Sequence, residues 1–352
     1  MRVVCAGDRF IRAAALAAAA RDAIGADVET VELDSTWPDE PFGTVDGVRE
    51  ASGDADALAD ALADGTEDQV LLTHLAPVTA RVLTAAPSLA AVGVTRGGPV
   101  NADLAAATEA GVPVIYLPGR NLGAVAEFTV GVMIALPRSI GRASRALADG
   151  TWDARYFRND LTGPELRAAT VGLIGFGAVG RRVAQLLRGF GARVLAHDPF
   201  ADAAALADTG VEAVELADLL AASDIVSVHA RLTDDTRHMV DAAVFAAMKP
   251  GAYFVNTARG ELVDQGALLG ALESGRLAGA ALDVFDPEPP RADDPLLRRP
   301  DVIATPHLAG ASKQVASESA KRVADEVAHF LETGEITNCA NPGWREHRTA
   351  RL

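Results

Sequence analysis

Gly175-Phe176-Gly177-Ala178-Val179-Gly180 lies between Thr170-Val171-Gly172-Leu173-Ile174 and Arg181-Arg182-Val183-Ala184. The run before the glycines reads as a strand, and the segment after them has helical period, so the glycines fall at a strand-to-helix turn. That context restricts the chain more than any other feature in it. Glycines there allow a tight turn and let the backbone approach a pyrophosphate closely, while free amides and the positive helix end meet its charge. The expected frame is therefore a parallel βαβ sheet that binds a dinucleotide.

Asp198 ends the next apolar run, about twenty residues beyond the glycines. A carboxylate at that place accepts hydrogen bonds from both adenosine ribose hydroxyls and repels a 2'-phosphate, which favours NAD. Arg181, Arg182 and His197 stand nearby and keep NADP as the lesser alternative.

The same alternation of short Val/Ile/Leu runs with Ala-rich helical segments occurs twice. In the first half the expected strands are residues 1–6, 28–33, 69–72, 91–95 and 113–117, with helices at 79–86 and 101–110 among those between them. In the second half they are 170–175, 193–198, 224–229, 253–256, 279–284 and 302–304, enough for a complete dinucleotide-binding sheet. The fold class expected is α/β, with two Rossmann-like, doubly wound parallel-sheet domains. Residues 124–148 read as one long helix kinked or broken at Pro137, and residues 312–334 as another helix. The tail from 338 is polar with a Pro-Gly turn.

Composition narrows the functional classes. Asp and Glu outnumber Lys and Arg by 48 to 32, a net charge of -16, so a nucleic-acid backbone or an anionic membrane would be repelled overall. With 49% apolar and 23% charged residues, a soluble globular chain is expected. Cys5 and Cys339 lie at opposite ends of the chain, with no metal-site or disulfide-framework spacing. Two reduced thiols suit the cytoplasm, and no metal is expected. The Ala-rich stretch 11–20 is too short to span a bilayer and, following Val3-Val4-Cys5-Ala6-Gly7, fits a first βα unit better than a signal peptide.

Three further segments suggest an enzyme: Asn256-Thr257-Ala258-Arg259-Gly260-Glu261, Asp283-Val284-Phe285-Asp286-Pro287-Glu288-Pro289 and Thr305-Pro306-His307-Leu308-Ala309-Gly310. Each follows an expected strand, and in an open α/β sheet such strand ends face one crevice, where Arg, Glu and His can converge. Singly, each has an ordinary structural use: a core His, a solvated Glu or a surface ion pair. Their order and placement together supply what ketone reduction needs. His307 can donate a proton near neutral pH, Glu288 can orient its ring and stabilise the imidazolium, and Arg259 can grip a carboxylate and polarise the ketone.

On these motifs the chain resembles the D-2-hydroxyacid dehydrogenase family, over roughly residues 69–310. The resemblance implies that Arg259, Glu288 and His307 are the catalytic Arg, Glu and His. It implies that Asp283 binds the nicotinamide carboxamide, with Thr257, Ala258 and His307 also facing the cofactor. It further implies a discontinuous substrate domain, residues 1–118 with 309–352, around an NAD-binding domain at 119–308, and a homodimer formed through residues 124–148. The reaction implied is hydride transfer between NAD and a small 2-keto or 2-hydroxy acid.

The chain also departs from the family. The usual Asp-Asn-x-Asp after a Gly-rich turn is here Arg96-Gly97-Gly98-Pro99-Val100-Asn101-Ala102-Asp103, with Val100 in place of the first Asp. Amides of Gly97 and Gly98 can still cradle an anion. Arg96 has two readings, recognition of a second anionic group or pairing with an acidic neighbour, and His74 has two, contact with the acid or an ordinary loop histidine. The family segment His-x-Pro-Leu-Thr is here His229-Ala230-Arg231-Leu232-Thr233. Family formate dehydrogenases carry Gln where Glu288 stands, so that activity is not expected. Phosphoglycerate dehydrogenases are nearer, but no room for their regulatory domain is expected after residue 334. Two alternatives stay open: a dehydrogenase for a phosphorylated acid, with Arg96 on the phosphate, and an NAD-sensing corepressor-like binding protein. The sequence leaves open which acid is used and which direction runs.

Overall fold

The structure is a computed structural model in which residues 1–63, 68–201, 206 and 209–348 are described. The chain divides into two compact units, residues 1–120 with 312–352 and residues 121–311.

The first unit carries β1 (Arg2–Gly7), β2 (Glu29–Asp34), β3 (Gly43–Val45), β4 (Val48–Ala51), β5 (Gln69–Thr73), β6 (Leu89–Val94) and β7 (Val114–Tyr116). Five of these form one parallel sheet in the order β2-β1-β5-β6-β7, and β3 and β4 make a separate antiparallel hairpin. Side chains alternate across the sheet, so Val4, Leu71 and Val92 pack with the helices Ala55–Ala63 and Ala80–Ala85 on one face. Val3, Cys5, Val70 and Leu72 pack on the other with Leu16, Ala17 and Ala20 of Ala13–Ala23 and with Val323 and Val327 of Lys313–Thr333. A sheet covered on both faces explains why its inner strands read as unbroken apolar runs.

The second unit carries β8 (Thr170–Ile174), β9 (Arg193–His197), β10 (Glu212–Ala213), β11 (Ile225–Val228), β12 (Ala252–Asn256), β13 (Leu277–Leu282) and β14 (Val302–Ala304). They form a seven-stranded parallel sheet in the order β10-β9-β8-β11-β12-β13-β14. The order reverses between β8 and β11, the switch point at which doubly wound sheets open a ligand crevice. Both units are thus Rossmann-like, as the sequence pattern led us to expect.

The helix expected at 124–148, kinked or broken at Pro137, is broken into Leu122–Ala135 and Ile140–Ala148, which meet at 68°. Pro137 cannot donate into a continuing helix, and Ser139 takes a left-handed φ of 53° at the break. No single described helix is long and apolar enough to cross a membrane.

Candidate active site

β12, β13 and β14 lie side by side, with Asn256 in register with Leu282 and Leu282 with Ala304. The segments bearing Arg259, Glu288 and His307 therefore leave the sheet at the same, carboxyl, end of their strands. His307 Nδ1 lies 2.9 Å from Glu288 Oε2, and Glu288 Oε1 accepts a bond from the Phe285 amide at 3.0 Å. Burial alone would raise the Glu288 pKa, but the bond and charge of His307, the Phe285 amide and the Arg259 charge together hold it below its ordinary value. The bond to Glu288 lifts the His307 pKa above the usual imidazole value, against the opposing effects of burial and Arg259. A Glu288 carboxylate thus receives Nδ1–H, and Nε2 is left for chemistry.

Asp283 organises the loop that carries this histidine. It is 1% exposed, and its carboxylate accepts bonds from Thr305 Oγ1 at 2.6 Å, Leu308 N at 2.7 Å and Ala309 N at 2.8 Å. Its carbonyl oxygen accepts from His307 N at 2.9 Å, and His307 itself sits at φ 55°. A buried carboxylate with three donors has its hydrogen bonds satisfied and fixes the loop around it.

Asn256 does the same for the arginine: its Nδ2 donates to Arg259 O at 2.8 Å, and its Oδ1 accepts from Ala258 N at 3.0 Å. Thr257 is anchored by a 2.7 Å bond to Thr129 of the helix Leu122–Ala135. Arg259 is exposed, donates from Nη1 to Ala258 O, and has no carboxylate within ion-pair distance among the described residues. Its guanidinium therefore keeps donors for an anion. Thr129, and the bonds that Asn256 makes within its motif, escaped the sequence reading, because their partners are defined by contacts that no local motif marks.

The glycine turn follows β8 at the switch point. Gly175 has φ 95°, and a Cβ there would lie 2.7 Å from His229 C; a Cβ on Gly180 would lie 2.5 Å from Gly175 O. A Cβ on Gly177 would meet nothing within 4 Å, so the turn is closed on its protein side and open on the other. This open concavity, at the start of the twelve-residue helix Ala178–Gly189, fits a dinucleotide pyrophosphate. Phe176 is buried, and Ala178 and Val179 begin the helix. Asp198 Oδ2 accepts from Phe176 N at 2.7 Å and Oδ1 from Phe200 N at 2.9 Å, which ties the acidic residue to the glycine turn. Arg181 is directed back onto the turn, with Nε 3.1 Å from Phe176 O and its guanidinium over the Phe176 ring. In the departing segment that begins at His229, burial pushes the His229 pKa down to about 4, so it stays neutral, 3.0 Å from Ser227 Oγ.

In the first unit, Arg96 has an acidic neighbour. Its guanidinium meets the Glu50 carboxylate, and its Nη1 donates to Glu50 O at 3.2 Å. Gly97 and Gly98 are exposed on the following turn. His74 is 3% exposed and has both ring nitrogens engaged, Nδ1 at 2.6 Å from Asp8 Oδ2 and Nε2 at 3.2 Å from Arg120 Nη2. His74, for which contact with the acid and an ordinary loop histidine are the two sequence readings, is thus a buried ring with both nitrogens engaged within the first unit.

Residues 130–309 match the model of the D-isomer specific 2-hydroxyacid dehydrogenase, NAD binding domain. The chain is 43% identical over 250 residues to Bacillus subtilis YoaD, a 2-hydroxyacid dehydrogenase by name, covering 70% of this chain and 71% of that one. It is 37% identical over 308 residues to a glyoxylate reductase of Korarchaeum cryptofilum, covering 88% and 89%. It spans about half the length of the D-3-phosphoglycerate dehydrogenases it matches. Among solved structures, D-2-hydroxyisocaproate dehydrogenase superposes with a TM-score of 0.81 at 26% identity, covering 97% of this chain and 100% of that one. A strand-turn-helix shaped for a dinucleotide and a family match spanning the segments that hold Arg259, Glu288 and His307 lead to one conclusion: the chain is an oxidoreductase of the D-isomer specific 2-hydroxyacid dehydrogenase family, with an NAD-binding domain.

Proposed function

We propose that the chain interconverts a 2-keto acid and the corresponding D-2-hydroxy acid, with His307 as proton donor and acceptor, Glu288 as its partner and Arg259 as the binder of the substrate carboxylate. The observation that carries this reading is the 2.9 Å pair of His307 Nδ1 and Glu288 Oε2, beyond the carboxyl ends of the strands that also lead to Arg259, which has no carboxylate within ion-pair distance among the described residues. The glycine turn, Asp198, Thr257, Ala258 and Asp283 hold NAD in this reading, and NADH when bound supplies the hydride. Arg259 receives the carboxylate in its planar fork and draws electron density from the neighbouring carbonyl. His307 delivers the Nε2 proton to the carbonyl oxygen and leaves as a neutral imidazole, still oriented by Glu288. In the reverse direction Nε2 takes the hydroxyl proton.

The first unit is proposed as the substrate-binding part, with the amides of Gly97 and Gly98 as a carboxylate cradle. NAD is preferred over NADP because Asp198 occupies the end of β9, where a 2'-phosphate would meet a like charge. A lower KM for NADPH than for NADH in steady-state assays would overturn that preference. The cytosol is the compartment that suits the two unpaired thiols.

The raised His307 pKa has a kinetic consequence. Reduction needs the protonated ring, so its rate falls as pH rises through that pKa. Glu288→Gln removes the negative partner, lowers the His307 pKa and moves the alkaline limb of the kcat/KM profile to lower pH. The limb is measured from initial rates across pH 5 to 10, on the order of the range bracketing imidazole and its perturbed values; an unmoved limb contradicts the role given to Glu288.

A homodimer is also proposed. Ile140 and Leu147 of the second helix after the break are 52% and 57% exposed, and the following Trp152 and Phe157 are 82% and 90% exposed. So much apolar surface in one stretch suits burial against a second copy. Sedimentation of the wild type should give a dimer, and Trp152→Ser with Phe157→Ser should shift it toward monomer; a wild-type monomer at micromolar concentration contradicts the assignment.

A further inference from the structure

The sheet of the first unit has its own switch point. Its order, β2-β1-β5-β6-β7, reverses between β1 and β5, and ligand crevices in open sheets form at the carboxyl ends of such strands. Asp8 follows β1, His74 follows β5, Arg96 lies just beyond β6 and Arg120 just beyond β7.

The hydrogen bonds among these groups assign the roles of the two His74 ring nitrogens. Asp8 is fully buried, and its Oδ1 accepts from Phe10 N at 2.8 Å and Ile11 N at 2.9 Å, while Oδ2 faces His74 Nδ1 at 2.6 Å. Arg120 Nη2 stands 3.2 Å from His74 Nε2, and a guanidinium can only donate. Nε2 must therefore be the accepting nitrogen, and Nδ1 carries the proton that goes to Asp8. His74 is thus a neutral strut between an anion and a cation, in keeping with the lowering of its pKa by burial and by the two arginines, against the opposing pull of Asp8. Phe10 and Trp37 pack on the ring, each with its centroid 5.6 Å away, and hold its orientation.

The strut ends on an arginine whose charge is only remotely balanced. Arg120 donates from Nη1 to Ser319 Oγ at 3.4 Å and has no carboxylate within ion-pair distance among the described residues. These contacts leave donors of its five N–H groups unspent. Burial, together with the neighbouring charge of Arg96, pushes its pKa down to about 10 despite Asp8. Arg96 differs, because Glu50 takes its charge and Nη1 bonds the Glu50 carbonyl. A half-buried cation held in place and short of a counter-ion is stabilised by an incoming anion.

We propose that Arg120, positioned by His74 and Asp8, binds a second anionic group of the substrate, a distal carboxylate or a phosphate, and so selects dianionic 2-keto acids. The proposal rests on the dehydrogenase reading above for its substrate, but the Arg120 site can be tested without turnover.

Two measurements on the full chain decide it. The first compares kcat/KM for matched acids with NADH: 2-oxoglutarate against 2-oxopentanoate for a carboxylate, and phosphohydroxypyruvate against hydroxypyruvate for a phosphate. In one pair at least, Arg120→Gln should lower kcat/KM for the dianionic acid about ten- to a hundred-fold more than for its partner, and the pair affected names the group. His74→Gln should move the same ratio in the same direction, mainly through KM. Equal losses on both members of each pair overturn the proposal. The second titrates inorganic phosphate and glutarate into wild type and Arg120→Gln by calorimetry. Weaker binding of either anion to the variant supports the site, and identical isotherms overturn it. If the wild type reduces no 2-keto acid, the dehydrogenase reading fails on its own and calorimetry still decides the anion site.

Discussion

His307→Ala should lower kcat/KM for 2-keto acid reduction by about 10²–10⁴-fold, the usual contribution of a positioned acid or base. The loss follows from removing the ring whose Nδ1 is held by Glu288 Oε2 and whose second nitrogen is left to deliver a proton. The fold should tolerate the change. The His307 side chain is 40% exposed, its amide bonds to Asp283 O at 2.9 Å are made by the backbone, and the Asp283 carboxylate grips Thr305, Leu308 and Ala309. The melting temperature should therefore change little, and affinity for NADH should change far less than turnover. Initial rates, a thermal melt and NADH fluorescence titration on the same preparation check all three. A variant retaining more than about a third of wild-type kcat/KM would place the proton donor elsewhere.

Arg259→Lys should cost about 10²–10³-fold in kcat/KM, similar to losing one preorganised donor to a developing negative charge. The charge is kept, but Lys has a single ammonium and cannot grip a carboxylate with two parallel bonds while polarising the adjacent carbonyl. Asn256 fixes the Arg259 backbone through the 2.8 Å bond to its carbonyl, so the change stays confined to the side chain. Gly260 next to it admits no side chain, because a Cβ there would fall 1.9 Å from Phe285 O. Both KM and kcat should worsen, since the fork serves binding and chemistry together. Near-wild-type kinetics for Arg259→Lys would mean that a point charge suffices and that the fork has another use.

The parts of this account that were legible in the sequence are those with local chemical signals. Most expected strand boundaries fall within two residues of the observed ones, because buried parallel strands leave continuous apolar runs. The glycine turn and the three loop motifs likewise announce themselves by residue type at fixed offsets. Other features had weak or nonlocal signals. The hairpin of β3 and β4 turns on Asp46 and Gly47, at φ 46° and 88°, a hairpin dipeptide hidden by flanks of only a few residues. β10 is two exposed residues, too short to show a pattern. Pro137 marked a break in the long helix, but not that two helices would turn apart there. Pairing of Arg96 with Glu50, and of Asp8, His74 and Arg120, joins residues tens of positions apart, which only tertiary structure brings together. The sequence drew attention to Arg96 as a surplus cation, whereas Arg96 is paired with Glu50 and Arg120, among the described residues, has no carboxylate within ion-pair distance.

The central claim is reduction of a 2-keto acid with NADH by His307, and it is tested most directly by following absorbance of the reduced nicotinamide with glyoxylate, hydroxypyruvate, phenylpyruvate, 2-oxoglutarate and phosphohydroxypyruvate. Oxidation of NADH by at least one of them is expected, yielding the D-hydroxy acid and lowered about 10²–10⁴-fold by His307→Ala. Tight NADH binding without turnover of any of them, or turnover that His307→Ala leaves intact, would contradict it.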